Sequence, residues 1–226
     1  MTLSVILPCY NEEANIRSSV LDVRDWMDAK KLHGEIIVVN DGSTDGSRHV
    51  LEKLQRECAM LHVLHHEKNL GYGLAVRAGC DSATSDLIAF MDSDGQFHAN
   101  DFDLLLPHIE KYPFVTGRRH KRADSFVRNM FGKVLGAMNV IVLQLWVRDV
   151  NCGMKIFHRD IWKKIRPTRG VEKLFNTEMF LHLKRKHIPW FQVDVPHYPR
   201  LRGTPTGGSV RVILRMFREL WSLKTS

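Results

Sequence analysis

The segment DLIAFMDSDGQ, residues 86–96, carries the strongest structural and chemical signal in the chain. Its first half is a short apolar run of the kind found in strands buried on both faces of a parallel sheet. Its second half, Asp92-Ser93-Asp94-Gly95-Gln96, is an acidic turn. Ligands of open parallel sheets bind outside the carboxyl ends of strands, which is where this turn falls. Two carboxylates one residue apart repel each other unless a cation sits between them. Asp92, Asp94 and the Gln96 amide offer hard oxygen ligands, suited to Mg²⁺ or Mn²⁺ with diphosphate oxygens completing the shell. An Asp-x-Asp pair is a weak motif alone, because acidic turns are common. Its position after a fourth buried strand makes it more specific.

Outward from this segment, apolar strands alternate with helical patterns. Leu3–Leu7, Glu35–Val39, Leu61–Leu64, Asp86–Met91 and Phe114–Gly117 read as strands. Between them, Asn11–Lys31, Gly46–Glu57 (with Asp45 as a cap), Gly71–Ala83 and Asn100–Lys111 read as helices. This order predicts an α/β fold with parallel crossovers and helices on both faces of the sheet. After Gly117 the pattern changes. A long apolar helix is expected over Ser125–Trp146, a strand over Cys152–Phe157, a helix over Asn176–Lys186 and a strand over Trp190–Val195. A Pro/Gly/Arg-rich loop, Pro196–Gly208, precedes an amphipathic helix over Ser209–Leu223. No linker separates the halves, so residues 1–226 are expected to form a single domain, with residues 1–117 and 118–226 as its two functional lobes.

Composition narrows the class. With 226 residues, 44% hydrophobic and 26% charged, the chain is an ordinary globular protein rather than a disordered or fibrous one. The longest nearly unbroken apolar stretch, Val134–Val147, is shorter than the roughly 20 residues a spanning helix needs. The opening MTLSVILPCYNEE shows neither a basic n-region nor a small-residue cleavage site, so no signal peptide is expected. Cys9, Cys58, Cys80 and Cys152 lack metal-ligand spacing and suit a reducing cytoplasm.

The net charge of +8 divides sharply along the chain. Residues 1–110 hold 9 Lys and Arg against 18 Asp and Glu, and residues 111–226 hold 24 against 7. An acidic front half can hold a cation. A basic back half can hold phosphates, lie against an anionic membrane, or simply be solvated. Nucleic acid is not an expected partner, since the front half is acidic and no reader motif is present.

Strands one and two end in Pro8-Cys9-Tyr10-Asn11-Glu12-Glu13 and Asn40-Asp41-Gly42-Ser43-Thr44-Asp45-Gly46, at the same sheet edge as the acidic turn. Tyr10 can stack on a base and Asp41 can accept hydrogen bonds from a base or ribose. Asn11 or Ser43 can also cap a helix. Taken in order and spacing, VILPCYNEE, VVNDGSTDGS, NLGYGLAVRAG and MDSDGQ resemble the inverting nucleotide-sugar glycosyltransferases of family 2, which have the GT-A fold. The chain is most similar to the dolichol-phosphate mannose synthase and polyprenyl-phosphate glycosyltransferase branch. The front half resembles the family over nearly all of residues 3–118. The back half does so more loosely, through GRR, DVNCGMKIF, NTEM and the PR…G…S segment.

The resemblance implies a Rossmann-like, mostly parallel sheet flanked by helices, with a basic acceptor lobe and a C-terminal amphipathic helix. It implies an enzyme moving a sugar from a GDP- or UDP-linked donor to a lipid phosphate with Mg²⁺ or Mn²⁺. Pro8, Tyr10, Glu12 and Asp41 would surround the nucleoside. Asp92 and Asp94, with Gln96, would hold the metal on the donor diphosphate, and Ser93 counts among the donor-binding residues. The Gly71-Tyr72-Gly73 turn would let the backbone pass close to the donor, though GYGLAV lacks the third glycine of a dinucleotide fingerprint. Arg118 or Arg119, with Arg128, would bind the acceptor phosphate, and Arg118 also counts among the donor-binding residues. Asp149, in Asp149-Val150-Asn151-Cys152-Gly153, and Glu178 would face the sugar or acceptor. Arg200 and Arg202 would close over the donor phosphates. Asp94, Asp149 and Arg128 are the catalytic candidates. Two departures bear on these roles: Asn40-Asp41 stands where the family often has two acids, and Gly207-Gly208-Ser209-Val210-Arg211 replaces its Gly-x-Ser-Lys.

A phosphate acceptor is mostly ionised at neutral pH and needs no general base, whereas an alcohol would need one, with Asp149 the best candidate. A glycan or protein hydroxyl acceptor, or a non-catalytic nucleotide-sugar-binding partner, are the alternative readings. A lipid phosphate lies in a membrane. The helices over 125–146 and 209–223 each set apolar residues against basic ones, a pattern shared by interfacial and core-packed helices. Peripheral attachment to the cytoplasmic face is expected. Many family members continue into transmembrane helices, so a membrane-anchoring subunit is an expected partner.

Overall fold

The computed structural model describes residues 1–119, 140–170 and 174–200, in which seven strands join into one sheet. The strands are β1 (Leu3–Cys9), β2 (Gly34–Asn40), β3 (Leu61–His65), β4 (Leu87–Met91), β5 (Phe114–Arg119), β6 (Met154–His158) and β7 (Trp190–Val195). Their order is β3-β2-β1-β4-β6-β5-β7. The first four run parallel, with Val5 opposite Ile36 on one side and Ala89 on the other. β6 inserts antiparallel between β4 and β5, and β7 runs parallel to β5 at the edge.

Side chains of successive strand residues point to opposite faces, and the core divides accordingly. Val5, Leu7, Ile36 and Val38 pack beneath α1 (Ile16–Ala29) and α2 (Ser47–Glu57), against Ile16, Val20, Trp26 and Leu51. Ile6, Ile37, Val39 and Phe90 face the other way, onto α3 (Tyr72–Ser82) and α5 (Leu174–Arg185) through Val76, Phe175 and Phe180. The short α4 (Arg159–Ile165) adds Trp162 to this second layer. Burial on both faces is why β1, β2 and β4 read as unbroken apolar runs.

Several expected elements differ from those observed. The first helix starts at Ile16, not Asn11. Asn11 is left-handed, with φ 55, and is tied across to the second strand's loop: its N–H donates to Ser43 Oγ (3.0 Å) and its Oδ1 accepts from Thr44 N (2.8 Å). The helix expected over 100–111 is two 3₁₀ stretches, Ala99–Leu104 and Leu106–His108, because Pro107 supplies no N–H to an α-helical ladder. The helix expected to run to Trp146 ends at Leu143, where Gln144 turns left-handed with φ 51. Beyond it Leu145 and Val147 are buried while Trp146 is exposed. The rest of that helix, the amphipathic helix over 209–223, Arg128 and Arg202 lie outside the described residues. All four cysteines are buried and free.

Candidate active site

Sheet polarity gathers the chemistry at one edge. The carboxyl ends of β1, β2, β4, β5 and β7 and the amino end of antiparallel β6 all meet there. They bring together the segments after Cys9, Asn40, Met91, Arg119 and Val195 and the segment before Met154.

The acidic turn is anchored from below by Ser93. Its hydroxyl donates to the Pro8 carbonyl (2.6 Å), and its carbonyl accepts from Ser19 Oγ (3.1 Å). Asp94 closes the turn on itself, Oδ1 accepting from Gln96 N at 3.1 Å, while Gly95 adopts φ 77, a conformation that favours glycine. Asp92 is wedged between the Tyr72 hydroxyl and Gly153, whose carbonyl accepts from Asp92 N at 3.2 Å. A β-carbon on Gly153 would lie 1.9 Å from Asp92 Oδ2, so only glycine leaves room for this carboxylate. The Oδ1 atom of Asp92 is buried with no hydrogen-bond partner among the described residues. Burial first, and the neighbouring Asp94 second, push its carboxyl up to about 6.

The segment after β7 lies over this turn. Gln96 Nε2 donates to the Tyr198 carbonyl and Tyr198 N donates to the Gln96 carbonyl, both at 3.1 Å. Phe97 meets the His197 ring edge-on, and His98 meets Tyr198. Arg200 then reaches back, Nη1 to Asp94 Oδ2 at 3.2 Å and Nη2 to Glu12 Oε1. Glu12 Oε2 also accepts from Asn15 Nδ2 at 2.7 Å, and burial raises its carboxyl despite both partners.

Asp41 is almost wholly buried and its oxygens are engaged within the chain. Oδ1 accepts from Leu70 N (3.0 Å) and pairs with His66 Nδ1 (2.6 Å), and Oδ2 accepts from Gly71 N (2.8 Å). It thereby fastens the loop that delivers Tyr72 to Asp92. Neighbouring Asn40 contacts His65 Nδ1 at 3.1 Å. Tyr10, half-buried, follows β1 at the same edge.

The arginines at the end of β5 are both engaged. Arg118 forks onto Asp194 of β7, and Arg119 grips Asp149 through Nε (2.8 Å), Nη2 (2.7 Å) and its backbone N–H (3.1 Å). Glu178, buried in α5, spends its carboxylate on the backbone N–H groups of Thr168, Arg169 and Gly170 rather than on the acidic turn.

Tyr72, His66 and Lys155 join these contacts without a motif of their own. Tyr72 stands between two glycines of a turn, and His66 shows no ligand spacing. Lys155, fully buried on β6, was detectable only as a lone charge in the apolar run MKIFH.

A divalent cation fits these residues. Asp92 presents an unsatisfied buried oxygen, Asp94 lies two residues on, and the Arg200 guanidinium already supplies a positive charge to Asp94 and Glu12. No cluster of three or more His, Cys, Asp or Glu able to cage a metal occurs among the described residues, so remaining ligands would have to come from elsewhere. No helix among them is long and apolar enough to cross a membrane.

Comparison with known proteins places the chain in a family and a fold. The family described as Glycosyl transferase family 2 matches residues 4–166. A dolichyl-phosphate beta-glucosyltransferase, ALG5D of Trichomonas vaginalis, is 28% identical over 211 residues, covering 85% of this chain and 64% of that protein. The dolichyl-phosphate beta-glucosyltransferase of Dictyostelium discoideum is 27% identical, covering 99% and 77%. The dodecaprenyl-phosphate galacturonate synthase of Rhizobium johnstonii is 29% identical, covering 99% and 68%. The chain spans 64%, 57% and 62% of the lengths of three Trichomonas relatives. Among solved structures, glucosyl-3-phosphoglycerate synthase from Mycobacterium tuberculosis, in complex with Mn²⁺, UDP and phosphoglyceric acid, superposes with a TM-score of 0.69 at 21% identity, covering 97% of this chain and 78% of that one. Mannosyl-3-phosphoglycerate synthase from Rubrobacter xylanophilus gives 0.71 at 18% identity, covering 99% and 73%. The fold is that of the GT-A glycosyltransferases, as the motifs led one to expect.

Proposed function

Because the chain belongs to glycosyl transferase family 2, we propose that it moves a sugar, with inversion, from a GDP- or UDP-linked donor to a polyprenyl or dolichyl phosphate. The observation that carries this reading is the unsatisfied Asp92 oxygen beside Asp94 and Arg200, at the edge where parallel sheets bind ligands. The acceptor class follows the relatives, which are named for dolichyl-, undecaprenyl- and dodecaprenyl-phosphate substrates.

Asp92 and Asp94, with the Gln96 side chain, would hold Mg²⁺ or Mn²⁺ on the donor diphosphate. When bound, the cation supplies charge neutralisation to the departing nucleoside diphosphate. Arg200, joined by Arg202, would transfer its guanidinium from the carboxylates to the donor phosphates, a charge-assisted contact that strengthens as negative charge develops. Pro8, Tyr10, Glu12 and Asp41 surround the nucleoside. For Asp41 this is indirect, because both its oxygens organise the 66–71 loop.

Arg119 and Arg118, with Arg128, would receive the acceptor phosphate, for which a guanidinium fork is well shaped. With a second pKa near ~6, a phosphomonoester arrives ionised and attacks without a general base. The fork of Arg119 on both oxygens of Asp149 favours this acceptor over a hydroxyl, since Asp149 is held as an ion-pair partner rather than poised to take a proton. Ile141 and Trp146, exposed by 78% and 80%, offer apolar contacts for peripheral attachment to the cytoplasmic membrane face, where an anchoring subunit would assist.

The test is label transfer. Protein, Mg²⁺ or Mn²⁺, labelled nucleotide sugars and mixed phosphopolyprenols are incubated, and the organic phase is counted. Lipid-borne label that disappears with EDTA is the expected result and identifies the donor. Metal-dependent donor hydrolysis without lipid label would overturn the lipid-phosphate acceptor.

A further inference from the structure

Lys155 stands at the centre of the sheet with no exposed surface, opposite Phe90 on β4 and Thr116 on β5. Its ammonium lies 5.1 Å from the centre of the Phe90 ring and 5.9 Å from that of Phe180, and it donates a hydrogen bond to the Cys152 carbonyl. A buried ammonium costs several kcal/mol in desolvation, and an apolar side chain of similar volume often serves stability as well or better. Stability alone therefore gives little reason for a lysine here.

The carbonyl it holds belongs to a loop with two attachments. At one end Asp149 carries the Arg119 fork, and at the other Gly153 backs the Asp92 carboxylate and accepts from its N–H. Within the loop, Cys152 N donates to the Asp149 carbonyl at 3.4 Å. One latch thus stands beneath the residues assigned to the donor and those assigned to the acceptor.

We propose that Lys155 is a positioning residue that, through its bond to the Cys152 carbonyl, holds the 149–153 loop so that Asp92 and Arg119 face one reaction. This rests on the transfer activity proposed above. Lys155 touches neither substrate. Its ammonium binds the loop, and the loop sets the two working side chains.

The test compares wild type with K155M, which removes the donor, and K155Q, which keeps a donor without charge. The readouts are transfer kinetics and binding of Mn²⁺ alone, followed by electron paramagnetic resonance, with circular dichroism as the folding control. K155M is expected to lose at least tenfold in kcat, and K155Q to recover part of that loss. K155M combined with D149N should lose no more kcat than K155M alone, because both act through one loop. K155M should also bind Mn²⁺ several-fold more weakly. Loss of a positive charge near Asp92 would by itself tighten cation binding, so weakening reports a displaced carboxylate. Wild-type kinetics in K155M, multiplying losses in the double variant, or unchanged or tighter Mn²⁺ binding would overturn the inference. If K155M does not fold, K155Q and its combination with D149N decide by the same criteria. Absence of transfer by wild type would sink the activity reading alone, and Mn²⁺ binding would still judge the latch.

Discussion

Arg200 lies 106 positions from Asp94 in sequence, and its Nη1 sits 3.2 Å from the Asp94 carboxylate while Nη2 reaches Glu12. On the function proposed above, the guanidinium stands in at Asp94 for the positive charge of a bound cation. If a metal and donor engage Asp94 as proposed, Arg200 would exchange its carboxylate partners for phosphate oxygens.

For Arg200→Ala, this exchange predicts opposite effects on two measurements. Mn²⁺ alone should bind several-fold more tightly, since Asp94 and Glu12 lose a competing positive charge. Transfer should fall by about 10–100-fold, because the donor phosphates lose a charge-assisted partner. Weaker Mn²⁺ binding in the variant would contradict the stand-in role.

Asp92→Asn should separate activity from stability. Transfer should drop at least about 100-fold, as when a preorganised group at the developing charge is removed. In metal-free protein at pH 7 the variant should melt higher than wild type. Burial raises the folded carboxyl from an ordinary 3.8 to about 6, so the folded state binds the proton more readily than the unfolded chain. Stability from this group is full below pH 4 and is lost as pH rises through 6. The gap in melting temperature should thus close as pH falls from 7 to 4. A gap independent of pH would refute the assignment.

Gly153→Ala tests the cradle. The added β-carbon would lie 1.9 Å from Asp92 Oδ2, so the carboxylate must move. Transfer and Mn²⁺ affinity should both fall by tenfold or more while the circular dichroism spectrum stays that of wild type. Full activity in this variant would mean that the Asp92 position is not critical.

Asp149→Asn distinguishes an ion-pair partner from a general base. Losing the charge loosens the Arg119 fork, which should raise the acceptor KM about tenfold and leave the shape of the pH–rate profile unchanged. Disappearance of one limb of that profile would instead identify Asp149 as the base for a hydroxyl acceptor.

Much of the front half was legible because parallel strands are buried on both faces and read as apolar runs, β1 and β4 most clearly. Local capping chemistry at Asn11 suggests a helix start five residues ahead of the observed Ile16, because its partners, Ser43 and Thr44, are about thirty residues away. The insertion of β6 between β4 and β5 left no trace in periodicity, since strand adjacency is a long-range property. Among candidate site residues, Asp92 and Asp94 stand out in the sequence by charge and position. Lys155 and Tyr72 do not, because one resembles an interruption of a strand and the other a helix start.

By itself the sequence determined the alternation of strands and helices in the front half, the sheet edge at which the acidic turn falls and the division of charge along the chain. These follow from local pattern and from the geometry common to parallel sheets. Only the tertiary structure decided that Arg200 pairs with Asp94 and Glu12, that Arg119 forks onto Asp149, that Asp41 is consumed by its own loop and that Lys155 lies beneath the site. Each of these is set by strand order and register, which bring together groups that neither period nor propensity connects.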